Sequence, residues 1–380
     1  MEKDLWFKRT EFDGRLSRVQ RELGDRGLGG ALVFQPETIT WLTGFFTAGH
    51  GYFELAIVPP AGPPVLVCRD VSRYYADRTC AWDEKAYWSD GDDILAVAGG
   101  AIRAALGEPH EVGIDLDAWP LSASIFGDLR IKLPRARLTD IGSFLAALRL
   151  IKSPAEIEYQ RRAARAAEAG MAAGLASARP GASERDVAAA VCSAMVRAGS
   201  DTPGPGVLSS GERARHLHGR ATDRVLKLGD TLQLETCPHV RQYHARFMRT
   251  IKVGSASSND EALMQTLIEI QDRALATVSP GVPASVPDGI YRDGILGTGL
   301  VSSYTNKTFY SIGLLIDPHG SEPLEATPSA TWSFQPGQVF HSYLLVGGFG
   351  FSETICVTES SYERLTTFPR RLLVSEDSNL

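Results

Sequence analysis

The sequence predicts an α+β protein of two domains, a smaller α/β domain over residues 1–148 and a larger α+β domain over residues 149–380. The length of 380 residues is enough for two ordinary domains. Helix-like and strand-like patterns alternate in the first domain, and a strongly capped, alanine-rich helix then marks the boundary. A second helix, a hairpin, a third helix and late strands follow, a succession typical of an α+β domain.

The first domain begins with an amphipathic helix, in which apolar residues recur from Phe12 to Leu23 before the glycine-rich GDRGLGG. The stretch ALVFQPETITWLTGF predicts a compact apolar run, a Pro/Glu turn and a short segment rich in β-branched and aromatic residues. Further on, FELAIVPPAGPPVLVCRD predicts two strands joined by a Pro/Gly turn. A helix over DDILAVAGGAIRAALG and a strand over EVGIDLD complete the alternation.

The second domain begins with two helices whose starts are signalled by capping residues. Ser153 stands as an N-cap, Pro154 follows at the first helical position, and Glu156 completes a capping box. Ser183 and Asp186 repeat this pattern before the second helix. Two strands, DTLQLETC and HARFMRTIKVG, then flank a turn, NDEALMQTLIEIQDRALATV predicts a third amphipathic helix, and the remainder is mostly strands.

Composition excludes several classes of function. A net charge of −6 argues against nucleic acid as the main partner, and no apolar run is long enough to span a bilayer. The N-terminus lacks the layout of a secretory signal. The five cysteines are scattered without a CxxC pair, which is typical of reduced thiols. We therefore expect a soluble cytoplasmic protein that acts on a small molecule, away from membranes and nucleic acids.

Polar residues interrupt the apolar strands of the second domain. The turn Lys-Leu-Gly-Asp should bring His218 and Glu235 onto neighbouring segments, and Tyr310, His341 and Glu353 each interrupt a later strand. Such residues project either into a shared cavity or into solvent. The histidines at places bounded by apparent strands are His216, His218, His239, His244 and His341.

Each of these residues also has an ordinary structural interpretation. A single His or Glu in a half-buried strand usually faces water, and Tyr310 is compatible with an ordinary core tyrosine. Arg249 and Thr250 can support the hairpin by pairing across it. Glu235 fits this interpretation less well, because it lies between Leu234 and Cys237 and a buried carboxylate needs a partner. The functional interpretation therefore depends on the order of the whole set.

That order resembles a known family. The blocks LHGRATDRVLKLGD, LETCPHVRQYHARFMRT, YSIG, PGQVFH and GFSETICVTE, with ALVFQPETITWLTGFFTAGHGYFELAIVP in the first domain, resemble the pita-bread family of methionine aminopeptidase, prolidase and creatinase. The similarity is greatest to its metal-free creatinase-like and ectoine-hydrolase-like branch. The resemblance implies a pita-bread catalytic domain after a creatinase-type N-terminal domain, in a homodimer.

The resemblance also implies a site without metal or any other cofactor. Metal-dependent members hold two metal ions with two Asp, one His and two Glu. The matching positions here are Glu235, Arg246, Tyr310, Tyr343, and either Ser352 or Glu353. Divalent metals need several oxygen or imidazole ligands, and this set includes an arginine. We therefore expect chemistry carried by protein groups alone.

By the same resemblance, His218 matches the catalytic histidine of creatinase and is expected to be a general base and acid. Glu235 would attack an amidine-like carbon or pair with a cationic substrate, and Glu353 is a third expected catalytic residue. The substrate would be held by His244, Arg246, Tyr310 and His341. The first-domain loop with Phe46, His50 and Tyr52 is expected to reach the active site of a partner subunit.

The leading hypothesis is a metal-independent hydrolase that cleaves an amide, amidine or guanidine C–N bond of a small polar, nitrogen-rich molecule. Departures from the branch pattern favour a changed substrate: Asn306 and Phe309 precede SIG, where Phe309 should reshape the pocket, and Met248 replaces an acidic residue. They motivate an alternative enzyme of the same fold that performs an elimination or cyclisation in a specialised biosynthetic pathway. A cleft that only binds a peptide or partner, and a metalloaminopeptidase, are further alternatives.

Overall fold

The structure is a computed structural model that describes residues 3–201, 204 and 206–375. The chain divides into unit 1, residues 1–149, and unit 2, residues 150–380, one residue after the predicted boundary. Both units combine helices and sheets, and the predicted α+β class is confirmed. Within the described ranges, no helix is long and apolar enough to cross a membrane.

Unit 1 is built from helices that surround one mixed sheet. Its helices are α1 (Arg9–Asp25), α2 (Pro36–Thr43), α3 (Arg73–Thr79), α4 (Ile94–Leu106), α5 (Ala123–Lys132) and α6 (Gly142–Leu150). Its strands are β1 (Ala31–Val33), β2 (Leu55–Val58), β3 (Val65–Arg69), β4 (Glu84–Trp88), β5 (Glu111–Ile114) and β6 (Arg137–Asp140). The strand order is β4-β3-β2-β1-β5-β6, in which β2 runs antiparallel to both of its neighbours.

The predicted Pro/Glu turn in unit 1 is wrong, because residues 36–43 form the helix α2. Pro36 occupies the first helical turn, where its missing N–H costs nothing, and Gly44 ends the helix in the left-handed conformation. Every residue of α2 is buried. A helix that is buried on all sides has no solvent-exposed face. Its sequence therefore lacks the 3.6-residue alternation of apolar and polar residues that would predict a helix.

Unit 2 contains four helices and eleven strands in the part that the structure describes. The helices are α7 (Pro154–Ser177), α8 (Glu184–Arg197), α9 (Ser258–Leu275) and α10 (Ser285–Gly297). The strands are β7 (Leu208–Ser210), β8 (Thr231–Thr236), β9 (His239–Val240), β10 (Tyr243–His244), β11 (Phe247–Lys252), β12 (Phe309–Ser311), β13 (Glu325–Ala326), β14 (Val339–Val346), β15 (Phe349–Val357), β16 (Tyr362–Arg364) and β17 (Leu373–Val374).

The predicted helix starts are confirmed at two places. Ser153 and Glu156 form the capping box of α7, and Ser183 and Asp186 form that of α8. Helix α10 lies in a region predicted to be mostly strands. Its sequence, SVPDGIYRDGILG, contains Pro and Gly that resemble turn signals, but Pro287 lies in the first turn, where proline is tolerated.

Most strands of unit 2 form one curved sheet in the order β13-β12-β14-β15-β11-β8-β7, with β16 beside β15 and β17 beside β11. β8 and β11 are antiparallel, with Glu235 opposite Met248 and Leu234 opposite Arg249. β14 and β15 pair along their lengths, with His341 opposite Thr354. Because side chains alternate across a strand, these registers fix which residues share a face.

One face of this sheet is covered by helices. Leu232 and Leu234 of β8 pack with Val187 and Val191 of α8 in one apolar cluster. A second cluster joins α9 and α10 to strand residues of the same face, among them Phe309, Phe340 and Phe351. We call this the back face. The residues between these positions in each strand therefore point to the other face, which carries the cavity described below.

Phe309, which departs from the sequence pattern of the creatinase-like branch, does not lie where the sequence predicts. Phe309 is fully buried, and its ring packs against Tyr291, Phe334 and Phe340 on the back face. The expectation that Phe309 reshapes the pocket is therefore wrong. Its neighbour Tyr310 points to the opposite face, since adjacent strand residues alternate.

Candidate active site

A cavity of about 950 Å³ in unit 2 is lined by the sheet face opposite the back face and by residues of α8. Six residues singled out from the sequence line it together, and they come from segments far apart in the chain: His218, Glu235, His244, Arg246, Tyr310 and His341. A volume near this value is in the range of small-molecule sites. We therefore treat this cavity as the candidate active site.

Glu235 is the buried carboxylate of the cavity. Strand β8 positions it through the register with β11, and its side chain is only 8% exposed. Its Oε1 lies 3.9 Å from Arg246 Nη1 and 3.9 Å from His341 Nε2, and has no hydrogen-bond partner among the described residues. Burial, reinforced by the charge of Glu235, raises the pKa of the Cys237 thiol well above its usual value. The thiol therefore stays protonated beside the carboxylate.

Arg246 lies immediately before β11 and places a guanidinium group in the same cavity. Its backbone is held by Thr354, which accepts from the Arg246 N–H at 2.9 Å and donates to its carbonyl at 2.7 Å. Its Nη1 donates to the Tyr310 hydroxyl at 3.0 Å. Burial opposes the charged guanidinium, but the attraction of Cys237, Tyr310 and Glu235 outweighs it and the pKa of Arg246 is raised. The cavity therefore holds a permanent positive charge.

His341 is fixed by two hydrogen bonds, one at each ring nitrogen. Nδ1 lies 2.7 Å from the Tyr310 hydroxyl, and Nε2 lies 2.7 Å from Ser352 Oγ. The ring also stacks on Tyr343. Burial, with the charges of Arg246 and Lys307, lowers the pKa of His341 well below its usual value. His341 is therefore a neutral imidazole that links the phenol of Tyr310 to the hydroxyl of Ser352.

His244 is a second neutral imidazole at the cavity. Its Nδ1 lies 3.0 Å from the carbonyl oxygen of Gln242, so Nδ1 carries the proton and Nε2 is left as an acceptor. Burial, with His239 and Arg246 nearby, lowers the pKa of His244 well below its usual value. An acceptor nitrogen of this kind is suited to an N–H or O–H group of a ligand.

His218 lines the cavity with an exposed side chain and an unusual backbone conformation. Its φ is 66°, in the left-handed region that few residues other than glycine adopt. Strained backbone of this kind is found disproportionately at functional sites. The turn with Gly229 brings the chain back to β8, so His218 and Glu235 reach the same cavity, as the sequence predicts.

Glu353 is not brought to the cavity. It is fully buried on the back face, where its Oε1 accepts from Arg249 at 2.7 Å and from Arg370 at 3.1 Å, and Thr366 donates to Oε2. The residue of β15 that points to the cavity side is Ser352, which bonds His341. The alternation of side chains along β15 accounts for this difference. The position of Glu353 therefore does not support a catalytic role.

The three predicted binding residues of the first domain lie together in unit 1. Phe46 and His50 stack with ring centroids 5.6 Å apart, and the Arg69 guanidinium lies over the ring of Tyr52 at 4.7 Å. Phe46 and Tyr52 also line a separate cavity of about 400 Å³. Their part in the active site of a partner subunit stays a prediction.

Other cavity residues were not identified from the sequence. Met248 was noted from the sequence as a departure from the branch pattern, and it lines the cavity two residues after Arg246 and opposite Glu235. Of the residues that were not identified, those on strands follow from the strand register. The lining residues on α8 cannot be identified in this way. A helix face that lines a cavity has the same sequence pattern as a helix face that packs against a core. The additional lining residues include Arg185, Cys192, Cys237, Lys307 and Asp317.

The residues at the positions that match metal ligands do not fit a divalent metal. They supply one cavity carboxylate, one guanidinium, the phenols of Tyr310 and Tyr343, and the Ser352 hydroxyl. Among described residues, no three His, Cys, Asp or Glu side chains are grouped to hold a metal ion. A guanidinium whose raised pKa keeps it charged repels a cation. No step of the chemistry below is therefore assigned to a metal.

Comparison with known proteins agrees with this architecture. Residues 158–359, more than half of the chain, match the model of metallopeptidase family M24. The chain belongs to metallopeptidase family M24. Residues 15–151 match the creatinase/prolidase N-terminal domain that precedes the M24 domain here. The predicted membership of the pita-bread family is therefore confirmed, together with its two-domain arrangement.

Relatives of this M24 protein are similar over nearly their whole length. The ectoine hydrolase of Halomonas elongata is 26% identical, over 97% of this chain and 98% of its own. The Xaa-Pro dipeptidase structure from Bacillus anthracis has a TM-score of 0.84 at 22% identity, covering 96% of this chain and 99% of its own. Dipeptidase PepE from Mycobacterium ulcerans has a TM-score of 0.82 at 22% identity, covering 97% and 99%. The two structures show a shared fold, and the relatives are named as hydrolases or peptidases.

Proposed function

We propose that this M24 protein is a metal-independent hydrolase that cleaves a C–N bond of a small polar, nitrogen-rich molecule. The bond belongs to an amide, an amidine or a guanidine. The observation that carries the proposal is Glu235, a buried carboxylate with an unpartnered Oε1 in the cavity that also contains His218. The 26% identity to an ectoine hydrolase over nearly the whole chain supports C–N hydrolysis as the reaction.

In the proposed reaction the oxygen of water adds to the carbon of the C–N bond, and that bond breaks. His218 accepts a proton from the water and returns one to the leaving nitrogen. Glu235 has two possible parts in this scheme. Either its carboxylate attacks the carbon first, and water then releases the covalent intermediate, or it binds the N–H groups of the substrate and orients the carbon.

The remaining cavity residues are proposed to hold the substrate and keep the site in order. The bonds from Tyr310 and Ser352 fix His341, whose Nε2 lies 3.9 Å from Glu235 Oε1. His244 offers the acceptor Nε2 to a substrate N–H. The elimination or cyclisation alternative was motivated by the departures at Asn306, Phe309 and Met248. Phe309 packs on the back face and no longer favours it, whereas Met248 lines the cavity.

The test is turnover of a panel of amides, cyclic amidines and guanidines by purified, chelator-treated protein, with products identified by mass. We expect activity without added metal and products that together contain the atoms of one water molecule. Glu235→Gln and His218→Ala should each reduce kcat by about 10²–10⁴-fold. His216→Ala is the matched control for His218→Ala, since His216 is also exposed but does not line the cavity.

Three results would overturn parts of this proposal. Activity that appears only with added manganese or zinc would contradict metal independence. A product that retains every substrate atom and gains no water would replace hydrolysis by elimination or cyclisation. Full activity of His218→Ala would remove His218 from the mechanism while leaving the role of Glu235 to be judged by its own variant.

A further inference from the structure

Arg246 carries a positive charge that the protein satisfies only in part. Its nearest carboxylate oxygen is Glu235 Oε1, at 3.9 Å, which is beyond hydrogen-bond distance. Among the described residues, its side chain donates one hydrogen bond, from Nη1 to the hydroxyl of Tyr310. Its Nε is buried without a partner in the same part of the chain. A guanidinium can donate five hydrogen bonds in a planar fork, so the described protein groups accept only one of them.

The charges along the cavity wall are predominantly positive. Among the described residues, four cationic side chains line the cavity and two acidic ones oppose them, although the whole chain has a net charge of −6. Arg185 and Lys307 are already paired with Asp223 and Glu325. Arg246, with a side chain only 20% exposed, has no such pair at hydrogen-bond distance within the described ranges. The four cationic residues are Arg185, Arg220, Arg246 and Lys307, and the acidic ones are Glu235 and Asp317.

We infer that Arg246 binds a carboxylate of the substrate, next to the N–H group that Glu235 binds. A planar guanidinium matches a carboxylate in two parallel hydrogen bonds, which a neutral group cannot reproduce. The inference deepens the proposed function, because it places the same ligand in the same cavity and assigns its class. The substrate is a small molecule with one anionic and one N–H-bearing end.

The separation of the two groups limits the distance between those ends. Because Arg246 Nη1 and Glu235 Oε1 are 3.9 Å apart, the carboxylate and the N–H group of the ligand must lie side by side. One or two carbon atoms between them satisfy this condition. Gly320 forms the neighbouring wall, since a Cβ added there would lie 3.7 Å from Arg246 Nη2. This glycine leaves room beside the edge of the guanidinium.

The test compares ligands that differ only in the carboxylate. Guanidinoacetate is compared with guanidinoacetamide, and N-acetylglycine with N-acetylglycinamide, by calorimetric titration. In the wild-type protein the carboxylate of at least one pair should bind about tenfold or more tightly than its amide. Arg246→Gln should abolish this preference, and Arg246→Lys should retain part of it because the charge remains but the fork is lost.

Lys307→Gln is the matched control, because Lys307 lines the same cavity but is paired with Glu325. It should keep the wild-type preference. A preference that survives in Arg246→Gln, or that Lys307→Gln loses equally, would overturn the assignment to Arg246. Equal binding of acid and amide in both pairs, or no binding of any of the four, would overturn it as well. If Arg246→Gln does not fold, the acid and amide affinities of the wild-type protein and of Arg246→Lys test the assignment instead.

This experiment is separable from the test of hydrolysis. Ligand recovered after each titration is examined by mass for added water. A carboxylate preference without turnover of any panel member would remove the proposed hydrolysis and keep the role of Arg246. Turnover without a carboxylate preference would remove the role of Arg246 and keep the hydrolysis.

Discussion

The sheet of unit 2 carries two arginine–glutamate pairs, one on each face, and they differ in how fully they are satisfied. On the back face, Arg249 Nη2 lies 2.7 Å from Glu353 Oε1, and Arg249 also donates to the carbonyl oxygens of Ser352 and Met248. On the cavity face, Arg246 and Glu235 stay 3.9 Å apart, and each keeps a buried polar atom without a partner in the described ranges.

The difference shows how one strand can serve two purposes. Arg246 and Arg249 are three residues apart on the same stretch of chain, and the alternation of side chains sends them to opposite faces. Burying a charge is expensive unless it is paired and hydrogen-bonded. The back-face pair meets this requirement within the protein. The cavity-face pair meets it incompletely, which is expected where a ligand supplies the missing partners.

The comparison is tested most strongly by Glu353→Gln. This change leaves the buried Arg249 guanidinium without its counter-charge, so the free energy of unfolding should fall by about 3–5 kcal/mol. Urea unfolding of the variant and the wild type measures the difference. A loss below about 1 kcal/mol would show that the back-face pair does not stabilise the fold in the way that its contacts indicate.

Acid should act on stability through the cavity face. His341 and His244 have native pKa values that burial lowers well below 6.5, so below pH 6.5 the unfolded chain binds protons that the native protein does not. The contribution of these two histidines to stability is therefore complete above pH 6.5 and is lost as the pH falls below it. Glu54 and Asp115 of unit 1 act in the opposite direction, because burial raises their native pKa values to about 8 and about 7. Between pH 7 and 5.5 we expect a loss of about 1 kcal/mol for each of the two histidines.

The melting temperature measured against pH checks this expectation. His341→Asn removes one of the two groups, so the change in stability between pH 7 and 5.5 should differ from that of the wild type by about 1 kcal/mol in favour of the variant. The exposed control His216→Ala should leave the pH dependence unchanged. An unaltered pH dependence in His341→Asn would mean that the cavity face is not the acid-sensitive part.

The smallest effect is expected for the stability of Glu235→Gln. Because Glu235 is not hydrogen-bonded to Arg246, its replacement should change the free energy of unfolding by at most about 1 kcal/mol in either direction. The same urea unfolding measures it beside Glu353→Gln. A loss of more than about 2 kcal/mol would place Glu235 with the stabilising residues and remove the contrast between the two faces.

Particular residues show how much of this could be predicted from the sequence. The capped starts of α7 and α8 were predicted, because the residues that satisfy a helix end are adjacent in the chain. The cavity positions of Glu235 and His341 were predicted from motif order. Whether Ser352 or Glu353 points to the cavity could not be predicted. The answer depends on how β14 and β15 are aligned, and the sequence of a single strand does not specify this alignment.

The errors have the same origin. Phe309 departs from the branch pattern just before Tyr310, and its bulk was expected to reshape the pocket, although adjacent strand residues point to opposite faces. The buried helix α2 has no polar face to show its period. In each case the missing information is which neighbours a residue meets across the fold, and these neighbours lie far away in the chain.

The alternation along β11 and β15 also bears on how such a protein changes over evolutionary time. Met248 and Ser352 belong to the set that points to the cavity face, whereas Arg249 and Glu353 belong to the set that points to the back face and pairs there. Substitutions in the first set leave the second untouched. New chemistry can therefore be acquired at every other residue of an inherited strand, while insertion of a single residue would exchange the two sets and disrupt both.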